Sequence, residues 1–180
     1  MSGRASEAAI DPIVGRARFA VLAARFNEEI SGKLLDGALS AFATHGVSRT
    51  SVDVHWVPGS FELPQAALAL ARTRRYAGIV CVGVVIKGET PHYDYVARAA
   101  AEGIGRAALD SGVPISFGVI TALTEEQAWA RAGGAVGNRG EEAALATLQM
   151  AGWLHGIRRS SRSAARDGVR ASRPGARRGE

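Results

Sequence analysis

Only one cysteine, Cys81, occurs in the 180 residues. That excludes a disulfide framework and any metal cluster built on several thiolates. Lying inside an apolar run, it reads as a small core hydrophobe rather than a nucleophile. No apolar stretch approaches the roughly 20 residues that span a bilayer, so no membrane partner is expected. The opening residues, MSGRASEAAIDP, lack the apolar core of a signal peptide, and a cytoplasmic location is expected. There is no dinucleotide GxGxxG pattern, no P-loop and no repeat at solenoid spacing. His92 stands near Glu89 and Asp94, but no second ligand cluster supports them, so no metal site is expected.

Charge of one sign is also scarce once the chain is divided. The net charge is +5, yet residues 156–180 carry eight Arg against Asp167 and Glu180, a balance of +6. The remaining 155 residues therefore sum to −1. The basic character belongs to the tail, and binding of nucleic acid is expected only if that tail provides it. With hydrophobic residues at 47% and charged residues at 22%, the rest has the balance of one globular domain.

The expected division is a flexible segment at 1–16, a domain at 17–155 and a disordered Arg-rich tail at 156–180. The tail is rich in Arg, Ser, Ala and Gly and has too little apolar surface to offset its ordering entropy. Between the ends, strand and helix patterns alternate. Arg18–Ala24 reads as a buried strand, and Glu29–His45 has apolar residues at helical spacing and Gly46 as its stop. Ser51–Val57 alternates as a strand, and Glu62–Arg74 is a helix with Pro64 in its first turn. Gly78–Ile86 is apolar on both faces, as a central strand covered on both sides would be. A helix is expected at His92–Ser111, a strand at Pro114–Thr121, and a capping box at Thr124-Glu-Glu-Gln opening a short helix. A glycine-rich loop, Gly133–Gly140, then precedes a last helix, Glu141–Trp153, with Leu145, Leu148 and Met150 as candidate core residues. Four such alternations imply an α/β sandwich on a parallel sheet.

In an open parallel sheet, ligands bind beyond the carboxyl ends of the strands. The segments leaving those ends are Arg25-Phe26-Asn27, Pro58–Glu62, Lys87–His92 and the end of the Phe117–Thr121 strand. The third is the most informative. Gly88, Glu89 and Thr90 lead into a helix, offering backbone N–H groups, a hydroxyl and the positive end of a helix dipole to an anion such as phosphate. His92 at the helix start would hang over whatever that loop holds, and imidazole is suited to moving a proton near neutral pH. His45, His55 and His155 have no such neighbours and read as structural.

The other segments leave two readings each. Phe26 is either a core aromatic or a ring placed to stack on a planar heterocycle. Glu62 is either a first-turn carboxylate favoured by the helix dipole or, with Gly59 and Ser60, a group that binds a polyol or ring N–H groups. Gly59 could also serve only a turn. Arg131 and Arg139 bracket a glycine-rich loop as solvated surface residues or as a phosphate fork.

The segments in order, Arg-Phe-Asn at 25–27, PGSFE at 58–62, GVVIKGETPHYDYV at 83–96, PISFGVIT at 114–121 and ARAGGAVGNRG at 130–140, resemble the lumazine synthase family. The resemblance covers Phe19 to Ala151, and residues 83–96 are its most specific part. It implies a three-layer sandwich with a four-stranded parallel, flavodoxin-like sheet flanked by helices. It also implies a transferase of riboflavin biosynthesis, without metal or cofactor. The family joins 5-amino-6-ribitylamino-uracil to 3,4-dihydroxy-2-butanone 4-phosphate, giving 6,7-dimethyl-8-ribityllumazine with loss of phosphate and water.

Carried over by motif, Phe26 would stack on the pyrimidine. Asn27, Gly59, Ser60 and Glu62 would lie about the ribityl chain, with Val85 and Ile86 against the heterocycle. Gly88, Glu89 and Thr90 would bind the phosphate, with Arg131 as its charge partner. His92 would be the catalytic proton shuttle. Phe117 and Arg139 would reach the pocket from a neighbouring subunit. Lys87 stands where the family often has Arg, and Arg139 where it often has Lys.

The resemblance further implies a homo-oligomer with sites between subunits of a pentamer. The short GGAVGNRG connector is most similar to members that build an icosahedral shell, a 60-mer of twelve pentamers. Riboflavin synthase is a further partner the resemblance implies. Two other readings use the same residues: a flavin- or lumazine-binding protein without turnover, and a container whose basic tail holds anionic cargo.

Overall fold

The structure, a computed structural model, describes residues 17–171; the expected N-terminal segment 1–16 lies outside them. The chain runs β1 (Phe19–Ala24), α1 (Glu28–Thr44), a 3-10 turn (Arg49–Ser51), β2 (Val52–Val57), α2 (Leu63–Arg72), β3 (Gly78–Ile86) and α3 (His92–Ser111). It continues with β4 (Ile115–Ala122), α4 (Glu125–Ala130), β5 (Ala132–Gly134), β6 (Gly137–Asn138) and α5 (Arg139–Ala171). The main sheet has the order β2-β1-β3-β4, and its three pairings are all parallel.

That order dictates the layers. The step from β1 to β2 runs one way across the sheet, and the steps from β2 to β3 and from β3 to β4 run the other way. Right-handed crossovers then put α1 on one face and α2 with α3 on the opposite face. Side chains along each strand alternate accordingly. Phe19, Val21 and Ala23 of β1 join Val80, Val82 and Val84 of β3 in a core shared with α1 and α5. Ala20 and Leu22 join Ile79, Cys81 and Val85 in a second core with α2 and α3. The result is the three-layer, flavodoxin-like α/β sandwich. Because β1 and β3 are covered on both faces, their sequences are continuous apolar runs.

Local signals set the element ends. Gly112, at φ 65°, takes the left-handed position that closes α3. Thr124 caps α4 by accepting from the Gln127 N–H at 3.3 Å, and the Gln127 side chain accepts from the Leu123 N–H at 3.0 Å. Gly140, at the start of α5, passes so close to the Leu34 carbonyl of α1 that a Cβ there would overlap it. Asn138 secures the same junction, donating to the Lys33 carbonyl at 2.9 Å and accepting from the Gly140 N–H at 2.8 Å.

Several expectations are corrected here. The glycine-rich loop is a small antiparallel hairpin, β5–β6. Met150 is exposed on α5, whereas Leu148 is fully buried and Leu145 packs against the core. The last helix does not end at Trp153 but continues to Ala171. Composition alone argues for disorder after residue 156, but Ala and Arg are good helix formers. Arg158 also docks this stretch by donating to the Gly112 carbonyl at 3.0 Å. Residues 172–180 lie outside the described residues. Among the described residues, no helix is long and apolar enough to cross a membrane.

At the amino ends of the strands, Asp53 of β2 gathers three partners. Arg18 donates to Oδ1 at 2.7 Å, the Tyr76 hydroxyl donates to Oδ2 at 2.7 Å, and Arg75 lies 3.7 Å from Oδ2. The hydrogen bonds from Tyr76 and Arg18 hold the Asp53 carboxyl below its ordinary range. Burial, with the bond to Asp53, pushes the Tyr76 phenol up.

Candidate active site

The reversal of strand order between β1 and β3 opens a crevice at their carboxyl ends, where a parallel sheet presents its ligands. A cleft of about 630 Å3 lies there, in the size range of small-molecule sites. Three connectors and the first turns of α3 build it. The turn after β1 contributes Phe26, and the β2–α2 connector contributes Pro58, Gly59, Ser60, Phe61 and Glu62. The end of β3 contributes Val84, Val85 and Ile86, followed by Gly88 and Thr90 of the next loop. His92, Tyr93, Tyr95 and Val96 close the far side.

The wall is chemically divided. Val84, Val85 and Ile86 make an apolar floor suited to a flat heterocycle. Phe26 (71% exposed), Phe61 and Tyr95 hold rings at the mouth, supported by little packing of their own. This decides the open question about Phe26, which lines the cleft and is not a core residue. Ser60 is the opposite case. It is only 4% exposed, and its Oγ has no hydrogen-bond partner among the described residues. A buried hydroxyl left unpaired costs about 1–3 kcal/mol.

Glu62 occupies the N-cap position of α2 without a side-chain capping bond. Its carboxylate turns back over Gly59: a Cβ there would stand 3.2 Å from Oε2. The bare glycine thus lets an acceptor lie flat beside Ser60. Across the cleft, the Gly88–Thr90 loop runs into the amino end of α3, whose first turn lacks a side-chain cap. Free N–H groups and the helix dipole favour an anion at that end. His92, the first residue of α3, lines the same cleft.

Other expected residues lie elsewhere in this chain. Asn27 does not line the cleft; at φ 60° it forms the left-handed turn into α1. Glu89 does not line it either. Phe117 is not at the carboxyl end of β4 but mid-strand, opposite Cys81, and its ring is exposed. Arg131 donates to the Gln127 carbonyl at 3.0 Å, and Arg139 pairs with Glu142. The β5–β6 hairpin brings these two arginines together through the Arg139 N–H to Arg131 carbonyl bond, 2.9 Å, but away from the cleft lining. Burial pushes the Cys81 thiol up, which suits a core residue and not a nucleophile. Among the described residues, no three His, Cys, Asp or Glu side chains group as metal ligands would.

Pattern reading missed Tyr93, Tyr95 and Val96. The signal was present: residues three and four places after His92 share its helix face, which puts Tyr95 and Val96 beside it. Phe61 also lines the cleft, from within a connector of otherwise small and polar residues.

This set of connectors, in this order along the chain, agrees with one family. The model of 6,7-dimethyl-8-ribityllumazine synthase matches residues 16–155. The chain belongs to the lumazine synthase family. Lumazine synthases are transferases of riboflavin biosynthesis that act on small molecules and work as oligomers. The matched span holds every cleft-lining residue and both arginines of the β5–β6 hairpin. It stops where α5 continues past its packing against the sheet.

Proposed function

We propose that this chain condenses 5-amino-6-ribitylamino-uracil with 3,4-dihydroxy-2-butanone 4-phosphate to give 6,7-dimethyl-8-ribityllumazine, releasing phosphate and water. The observation that carries the reading is that His92, at the amino end of α3, lines one cleft with an apolar floor and exposed aromatic rings. The pyrimidine lies on Val85 and Ile86 under Phe26, its ribityl chain along Gly59, Ser60 and Glu62. The phosphate sits at Gly88 and Thr90. Imine formation between the pyrimidine amine and the ketone moves both amine protons to the carbonyl oxygen, which departs as water. Loss of phosphate needs a further proton removed from carbon. A single imidazole that gives and takes protons serves each step.

Because Arg131, Arg139 and Phe117 lie off the cleft of their own chain, a neighbouring subunit supplies them in this reading. The assembly is a pentamer, in a shell of twelve, and the catalytic unit is 17–155. The compartment is the cytoplasm. The test is His92→Ala. Turnover should fall by about 100-fold or more while affinity for the lumazine product changes little. Undiminished turnover removes His92 from the mechanism.

A further inference from the structure

Arg25 follows β1 and keeps its alternation. Phe19, Val21 and Ala23 face the α1–α5 core, and Arg25 lands on the same side, its guanidinium carbon 5.6 Å from the centre of the Trp56 ring. Trp56 is the register partner of Ala23 and packs against that core. The next residue, Phe26, therefore turns to the opposite side, where it lines the cleft. With its ring 71% exposed, Phe26 is placed by its backbone and not by packing. That backbone is clamped: the Arg25 N–H donates to the Val57 carbonyl at 2.8 Å, the Phe26 N–H to the Pro58 carbonyl at 3.1 Å, and Asn27 takes φ 60°. Glu28 lies 3.8 Å from Arg25, but both side chains are more than half exposed, so that ion pair adds little.

We propose that Arg25 is a positioning residue: lying over the Trp56 ring, it holds the 25–27 turn so that the Phe26 ring stands over the cleft. The inference rests on the functional reading above and adds to it a residue that never touches substrate. A planar guanidinium suits the role because it covers an indole face, whereas a lysine ammonium supplies charge without the plane. A ring left to wander must be ordered when the ligand arrives, and that cost appears as weaker binding of the group it stacks on.

The experiment compares Arg25→Ala, Arg25→Lys and Trp56→Ala, each also combined with Phe26→Ala. Arg75→Ala is a matched control, since Arg75 lies 5.6 Å over the Tyr76 ring at the other end of the sheet. Readouts are KM for each substrate and Kd for 6,7-dimethyl-8-ribityllumazine by its fluorescence. Arg25→Ala and Trp56→Ala should raise the pyrimidine KM and the lumazine Kd by about three- to fivefold. The butanone phosphate KM should stay put, Arg25→Lys should recover part of the loss, and neither change should add to Phe26→Ala. An unmoved pyrimidine KM, an equal rise in both KM values, or a full effect persisting without Phe26 overturns the proposal. The unaltered protein separates the two levels: if it neither forms nor binds lumazine, the functional reading fails, and this inference with it.

Discussion

Ser60 and Gly83 meet beneath the cleft: a Cβ on residue 83 would stand 2.6 Å from the Ser60 Oγ. The central strand is thus kept bare at the point where the β2–α2 connector lowers its hydroxyl onto the sheet. Gly83→Ala forces that hydroxyl aside within a close-packed wall that also includes Ala24, whose Cβ would be 3.0 Å away. The expected cost is about 1–3 kcal/mol in urea unfolding, with weakened lumazine binding. Unchanged binding would separate Ser60 from the ligand.

Ser60→Ala probes the same contact from the other side. Since the Oγ has no partner among the described residues, removing it should leave stability unchanged or raise it by up to about 1 kcal/mol. Ligand affinity should nevertheless fall by about three- to tenfold, the loss of one hydrogen bond. A loss of stability without a loss of affinity would make Ser60 a structural residue.

The Asp53 cluster sets the acid side of the stability profile. The lowered Asp53 carboxyl contributes stability above the ordinary carboxylate range near pH 4, and this is lost as pH falls through the folded value. The raised Tyr76 phenol works the other way, contributing below about pH 10 and losing that share as pH rises. Tyr76→Phe removes the 2.7 Å bond to Asp53 and should cost about 1 kcal/mol at pH 7. Urea midpoints from pH 3 to 7 should also fall less steeply in the variant. Parallel profiles would contradict the assignment.

Sharing of the site between subunits is testable by mixing. If Arg131 serves a neighbour's cleft, His92→Ala chains and Arg131→Ala chains are each inactive alone but restore intact sites when refolded together. Equal mixing should recover about a quarter of the activity, because an intact site needs one chain of each kind in the right order. No recovery would place both residues in one chain's site.

Much of this architecture was legible in the chain because the relevant signals are local or periodic. Continuous apolar runs marked β1 and β3, Gly112 marked the end of α3, and Thr124 marked the start of α4. The rule that ligands sit beyond the strand ends singled out four segments, of which three line the cleft and the end of β4 does not. What escaped depends on distance or on competing local terms. Met150 has a core residue's chemistry but sits on the outer face of α5. The helical continuation to Ala171 follows local propensity and the Arg158–Gly112 bond, neither visible in an apolar count. Arg131, Arg139 and Phe117 were singled out by motif, yet nothing within one chain brings them onto the cleft.

The central claim is most directly tested by mixing the unaltered protein with both substrates and measuring lumazine absorbance and released phosphate in parallel. One phosphate should appear for each lumazine, and neither product should form faster than in a protein-free control when either substrate is omitted. A folded, assembled protein that binds lumazine yet forms none, or that releases phosphate without the pyrimidine, would contradict the account.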